Sequence, residues 1–311
     1  MPAQPTLSEV IAALDTLWPR DRAEQWDAVG TVCGDVSDPQ ARVSRVLFAV
    51  DPVQQVADEA VAKGAELLVT HHPLYLRGTT TVAADTFKGR VVHTLIRNGV
   101  ALHVAHTNAD SRRPRRLRRA RRGARAARAA AAGVPDPTDP AGRRGLGRIC
   151  ELDRPLPLGD LLERPAAALP VTAQGLRAAG DPAMPVATIA VCGGSGDSLF
   201  ETVRAAAGVD AYLTADLRHH PASEAREHSP LALLDAAHFA TEWPWCEQAA
   251  AQLDAVAERE GWDLRTEVSH TVTDPWTSHA PSLPQESPLS RPATAQQTAS
   301  TDHDLTPGAP N

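Results

Sequence analysis

Two adjacent histidines, His71 and His72, close the apolar run Glu66-Leu67-Leu68-Val69-Thr70, and Pro73 stops that run from continuing as a strand. Imidazole is the commonest neutral protein ligand for Zn, Fe or Ni, so two of them at the mouth of a buried strand suit a transition metal. A pair of surface or capping histidines is the plainer reading of the same residues. A second cluster, His106-Thr107-Asn108-Ala109-Asp110, follows another apolar run. Asp110, four residues after His106, could add a carboxylate to a metal held by the histidine pair; by itself it reads equally as a helix cap or turn residue. A third cluster runs from Asp235 to Glu242. His238 and Glu242 are four apart and share a face if a helix begins there, as a nitrogen and oxygen ligand pair or as a helix-start glutamate beside an incidental histidine. The stretch Cys192-Gly193-Gly194-Ser195-Gly196-Asp197 offers backbone amides to an anion or simply makes a tight turn. It has neither the lysine of a P-loop nor the spacing of a dinucleotide fingerprint.

The elements needed to position these groups are readable from periodicity. Residues 7–18 carry apolar positions at helical spacing, 53–63 and 84–98 read as helices stopped by glycine, and Val43–Val50, Glu66–Thr70 and Val100–Ala105 read as strands. Beyond residue 134 the strands 145–149, 186–191, 210–214, 231–234 and 262–268 are interleaved with helices 158–169, 198–207 and 243–260. Alternation of this kind predicts an α/β fold with parallel or mixed sheets covered by helices. The histidine and aspartate clusters lie just past strand carboxyl ends, where open α/β sheets place their ligands.

Composition narrows the class. The chain has 311 residues, 42% hydrophobic, with no apolar run long enough to span a membrane and no basic-then-apolar leader pattern, so the expected compartment is the cytoplasm. Its four cysteines are scattered, against both a disulfide framework and a thiolate zinc site. Ten of its 31 basic residues are arginines between Arg112 and Arg128; without those ten charges the net −7 becomes −17. Only Lys63 and Lys88 are lysines, a bias that fits a GC-rich gene. The segment 111–133 is therefore read three ways: a nucleic-acid-binding stretch, a solvated insertion, or the product of two compensating frameshifts. The frameshift reading is preferred, because codons for Leu117–Arg125 can be chosen whose adjacent frame spells a capped helix; a nucleic-acid role is discounted accordingly. From about residue 280, Pro, Ser, Thr, Gln and Ala dominate, as in a disordered tail. The expected organisation is a first α/β lobe at 1–110, the anomalous segment at 111–133, a second α/β lobe at 134–279 and a tail at 280–311.

Taken together and in order, Trp26-Asp27-x-Val29-Gly30 with Gly34-Asp35, Thr70-His71-His72-Pro73, His106-Thr107-Asn108-x-Asp110, Ala190 to Gly196 and Asp235-Ala236-x-His238-x-x-Thr241-Glu242 resemble the Ngg-one-interacting-factor-three-like family, also called GTP cyclohydrolase I type-two homologues. The resemblance covers about residues 5–278, interrupted at 111–133. It implies two similar α/β units facing each other across a metal site, in a subunit of a homohexameric ring. It also implies two divalent ions (Zn, Fe, Mn or Ni) held by His71, His72, Asp110, His238 and Glu242, with His106 close by as a supporting or substrate-contacting group. The central domain that longer members insert is absent. Five nitrogen and oxygen ligands suit two cations sharing a carboxylate, a site that brings the pKa of water towards neutrality and supplies hydroxide for hydrolysis. The expected function is thus a di-metal hydrolase acting on a nucleotide-like or small substrate. The alternative is a non-catalytic metal-binding ring or scaffold for metal handling or partner interaction.

Overall fold

The structure, a computed structural model, describes residues 3–110, 145–206 and 208–281. The arginine-rich segment 111–133 and residues 282–311 of the expected tail lie outside them. Two units are distinguished, Met1–Ser278 and His279–Asn311, and the fold below is that of the first.

The first sheet has the order β1(Gly30–Cys33), β4(Ala101–Val104), β3(Leu67–Thr70), β2(Arg45–Ala49), β10(Arg265–Val268). All its pairings are parallel except that of β1 with β4. The second has the order β5(Arg148–Pro157), β7(Pro185–Ser195), β8(Ala211–Ala215), β9(Ala232–Ala236), β6(Leu176–Ala179), with a parallel centre and an antiparallel strand on each edge. Both are five-stranded mixed sheets, and the chain is an α/β protein.

Strands β2, β3 and β4 are buried on both faces, which is why they read as continuous apolar runs. On one face Val46, Phe48, Val69 and Ala101 meet Leu7, Val10, Ile11 and Leu14 of α1(Leu7–Leu17) and Cys246, Ala249 and Leu253 of α8(His238–Glu260). On the other, Leu47, Leu68 and Leu102 meet α2(Gln54–Ala62) and α3(Phe87–Arg97). Helix α1 starts on a capping box: Thr6 Oγ1 accepts from the Glu9 amide and Glu9 accepts from the Thr6 amide, satisfying two otherwise orphaned donors. The second sheet is covered by α5(Leu158–Ala168) through Leu158 and Leu161, and by α6(Phe200–Ala205) through Phe200 and Val203.

Three departures from the sequence reading have physical causes. Helix α7(His219–His228) has no buried residue, so it carries no apolar stripe to read. Strand β6 is an edge strand with three of its four residues exposed. Strand β10, read as the last strand of the second lobe, pairs in parallel with β2 and so completes the first sheet. Helix α8 packs against β2 and β10 of the first sheet and β7 and β8 of the second, joining the two layers.

Candidate metal centre

The parallel strands of both sheets discharge into one cleft of about 660 Å³, whose lining includes His71, His72, His106, Asp110, His238 and Glu242. Each arrives from a strand end. His71 and His72 follow β3; His106 follows β4 and leads into the one-turn helix α4(Thr107–Asp110) that ends on Asp110; His238 and Glu242 open α8 after β9. The chain leaving β3 stays tied to β2, since the His71 and His72 amides donate to the Ala49 and Val50 carbonyls at 3.1 and 2.9 Å. The next-door rings then diverge, tilted 44° with centroids 5.5 Å apart.

His72, His238 and Glu242 form the tight cluster, with one potential ligand atom from each within 4.8 Å of the others. Glu242 lies between the histidines: its Oε2 is 2.7 Å from His72 Nε2, while Oε1 is 3.2 Å from His238 Nε2 and 3.6 Å from His71 Nε2. Asp110 Oδ2 approaches His71 Nε2 from the other side at 3.7 Å. All five ligand candidates therefore meet in one cleft, three closely and His71 with Asp110 more loosely.

The opposite ring nitrogens are all engaged. His72 Nδ1 donates to Asp51 and His238 Nδ1 to Asp216, each at 2.7 Å, because a carboxylate only accepts. His71 Nδ1 lies 3.1 Å from the Ala105 carbonyl, and His106 Nδ1 is 2.8 Å from Asp27. Asp27 also accepts from the Thr107 amide and hydroxyl. Such outer partners fix which nitrogen carries the proton and aim the other inward. The His106 ring packs edge-on to His71 and His72, at 5.1 and 5.7 Å, and to Trp26 at 5.9 Å.

This arrangement fits a cation. With Nδ1 protonated on both, the Nε2 atoms of His72 and His238 bring lone pairs within 3.2 Å of each other, which only a proton or metal ion between them relieves. Glu242 is buried, and its Oε2 has no partner in hydrogen-bond geometry despite the nearby imidazole. Electrostatics agree. Burial opposes charge on His72 and His238, yet Glu242 with Asp51 or Asp216 outweighs it and holds their pKa values up at about 10 and about 9. Burial likewise opposes ionisation of Glu242, but the imidazoles of His71 and His72 hold its carboxyl well below the usual range. Asp110 is pushed up by burial and by Glu242, with His71 offsetting part of this. The buried carboxylates thus favour cationic neighbours, which protons or divalent ions can supply beside the Arg148 guanidinium that also lines the cleft.

Asp27, Asp51 and Asp216 were not singled out from the sequence as site residues, although Asp51 and Asp216 sit just past strand ends as His71 does. That placement is the signal that could have found them. The glycine-rich stretch is also part of the cleft wall: β7 continues through Gly193 and Gly194 to Ser195, with its pairing to β8 broken between Val191 and Ser195.

The fold and the His/His/Glu cluster define an α/β protein with a candidate metal site. The family described as Duf34/NIF3 (NGG1p interacting factor 3) matches residues 5–275, and this chain belongs to it. A relative from Streptomyces coelicolor, named GTP cyclohydrolase 1 type 2 homolog, is 67% identical over 288 residues, covering 93% of this chain and 99% of its own. A Mycobacterium tuberculosis protein of the same name is 37% identical over 373 residues, covering 87% of this chain and 96% of its own. Among solved structures, a Bacillus cereus protein related to NIF3 superposes with a TM-score of 0.72 at 20% identity, covering 88% of this chain and 99% of that one, which speaks for the shared fold. No helix among the described residues is long and apolar enough to cross a membrane.

Proposed function

We propose that this chain is a divalent-metal-dependent hydrolase whose two ions share Glu242, acting on a nucleotide-like or small substrate. The supporting observation is the convergence of two carboxylate-braced Nε2 atoms on a buried carboxylate whose Oε2 lacks a partner in hydrogen-bond geometry. His72, His238 and Glu242 would hold one ion; His71, Asp110 and the other edge of Glu242 would hold the second. Bound divalent ions supply Lewis acidity and make hydroxide available near neutral pH. The protein's own groups do the remaining work. Asp51 and Asp216 accept from Nδ1 of His72 and His238 and so aim their Nε2 atoms inward, and His106, whose Nδ1 donates to Asp27, turns its other nitrogen toward the cleft. The family resemblance further implies a homo-oligomer, a hexameric ring, in the cytoplasm.

The test is metal analysis of the purified full chain beside a screen of nucleotides and phosphoesters. We expect two divalent ions per chain, and turnover that disappears in Glu242→Ala while far-UV circular dichroism is retained. A wild-type chain that neither carries nor takes up metal sinks the reading. Metal bound without turnover on any substrate favours the metal-handling or scaffold alternative.

A further inference from the structure

We infer that Gly194 is a positioning residue for the candidate metal centre: its missing side chain is the space that Glu242 occupies, and its amide anchors the helix turn that carries both α8 ligands. This inference rests on the reading of His72, His238 and Glu242 as an ion site.

Three observations on the second sheet carry it. First, space: a Cβ on Gly194 would lie 2.3 Å from Glu242 Oε1 and 3.1 Å from His238 Nε2. The carboxylate is buried and held by three imidazoles, so it has nowhere to retreat without leaving them. Second, backbone shape: Gly194 has φ of +67° at the break in β7–β8 pairing, a conformation that turns its amide away from the ladder and towards α8. Third, anchorage: the Gly194 amide donates to Thr241 Oγ1 at 2.9 Å, and that hydroxyl donates to the His238 carbonyl at 2.8 Å. On the other side, Thr214 Oγ1 donates to the Gly194 carbonyl at 3.0 Å. A chain of hydrogen bonds thus runs from β8 through β7 into the first turn of α8. Ala237 at the N-cap makes no side-chain hydrogen bond, so the Thr241 link is a tie on that turn from outside the helix. His238 and Glu242, one helical turn apart, are thereby tied to the second sheet.

A side chain at 194 would therefore act on the ion site through Glu242, and it would also strain the backbone. Gly175 separates the two effects. Its φ is +62° and nothing lies within 4 Å of where its Cβ would be, so Gly175→Ala carries the strain without the collision.

The experiment titrates Zn²⁺ into the metal-free full chain against a chelating dye and follows thermal unfolding in chelator. Gly194→Ala is expected to weaken Zn²⁺ binding at least about tenfold, the scale on which outer partners of metal ligands act. Gly175→Ala is expected to leave binding unchanged while lowering the unfolding temperature in chelator by a similar amount. Glu242→Asp, whose shorter side chain withdraws from position 194, is expected to weaken binding alone but to cause no further loss on top of Gly194→Ala. Strictly additive losses in the double variant overturn the proposal, as does Zn²⁺ binding by Gly194→Ala equal to wild type. A wild-type chain that takes up no Zn²⁺ overturns the ion-site reading and this inference with it.

Discussion

At the scale of single residues, the site is a set of imidazoles each held by the nitrogen it does not use. His72 and His238 rest on carboxylates, whereas His71 rests on the Ala105 carbonyl. An anionic partner raises the basicity of the ring more than a carbonyl does, so Asp51 is worth more to ion binding than its distance from the ion suggests. Asp51→Asn should weaken divalent-ion affinity about 10- to 100-fold with little change in fold, measurable by competition with a chelating dye. Retention of full affinity would mean that the backbone bond of His72 to the Val50 carbonyl holds the ring in place unaided. The set of five ligand candidates was legible only through the ordered family motifs; spacing alone left His71-His72 open to a surface reading, Asp110 to a cap or turn, and His238 with Glu242 to an ordinary helix start. Asp51 and Asp216 were not legible as their partners, because a single aspartate after a strand is also what an ordinary turn contains, and Asp27 lies ahead of β1 with no strand before it.

At the scale of elements, the sequence showed best what periodicity encodes. The double-sided burial of β2, β3 and β4 and the apolar stripe of α1 are visible in spacing; α7 and β6 bury too little to leave a pattern. The role of the β7 glycines was invisible for another reason. Glycine in a strand can signal a turn, a bulge or a close approach, and only the partner across the gap, here Glu242, says which. Strand β4 also carries a polar residue that periodicity does not explain. His103 is buried, its Nδ1 lying 3.3 Å from Thr31 Oγ1 on β1, and burial pushes its pKa down to about 4 despite the nearby Asp15. The unfolded chain binds that proton near pH 6.5, before the folded one does. Stability is therefore intact above pH 6.5 and falls as the pH drops towards about 4, by about 3 kcal/mol over the interval. Urea denaturation of wild type and His103→Gln at pH 7 and pH 4.5 checks this: the wild type should lose more of its stability to acid than the variant, and equal losses would refute it.

At the scale of the whole molecule, α8 joins the two sheets, and an ion at the proposed site would do the same job in another way. The helix packs on strands of both sheets, and the ligand set draws His71 and His72 from the exit of the first sheet while Gly194 and Asp216 of the second steady His238 and Glu242. An ion bound there holds the layers together only in the folded state, so it should raise the unfolding temperature. At 100 times its dissociation constant a single ion contributes about 2.7 kcal/mol. Chelator should lower the wild-type transition and leave that of a His72→Ala, Glu242→Ala double variant where it was; a shift of equal size in both would place the stabilising ion elsewhere.

The pairing of β10 with β2 has a consequence for how the protein comes into being. Arg45 and Arg265 are neighbours in the sheet although about 220 residues separate them in sequence. A nascent chain emerging from the ribosome has made β2, β3 and β4 long before β10 exists. For that interval β2 presents an unpaired edge, the feature by which sheets recruit strands from other molecules. The sheet that carries His71 and His72 is thus begun well before the strand that closes it is made. Completing it requires the longest loop closure among the pairings of the first sheet, the one that costs most in chain entropy.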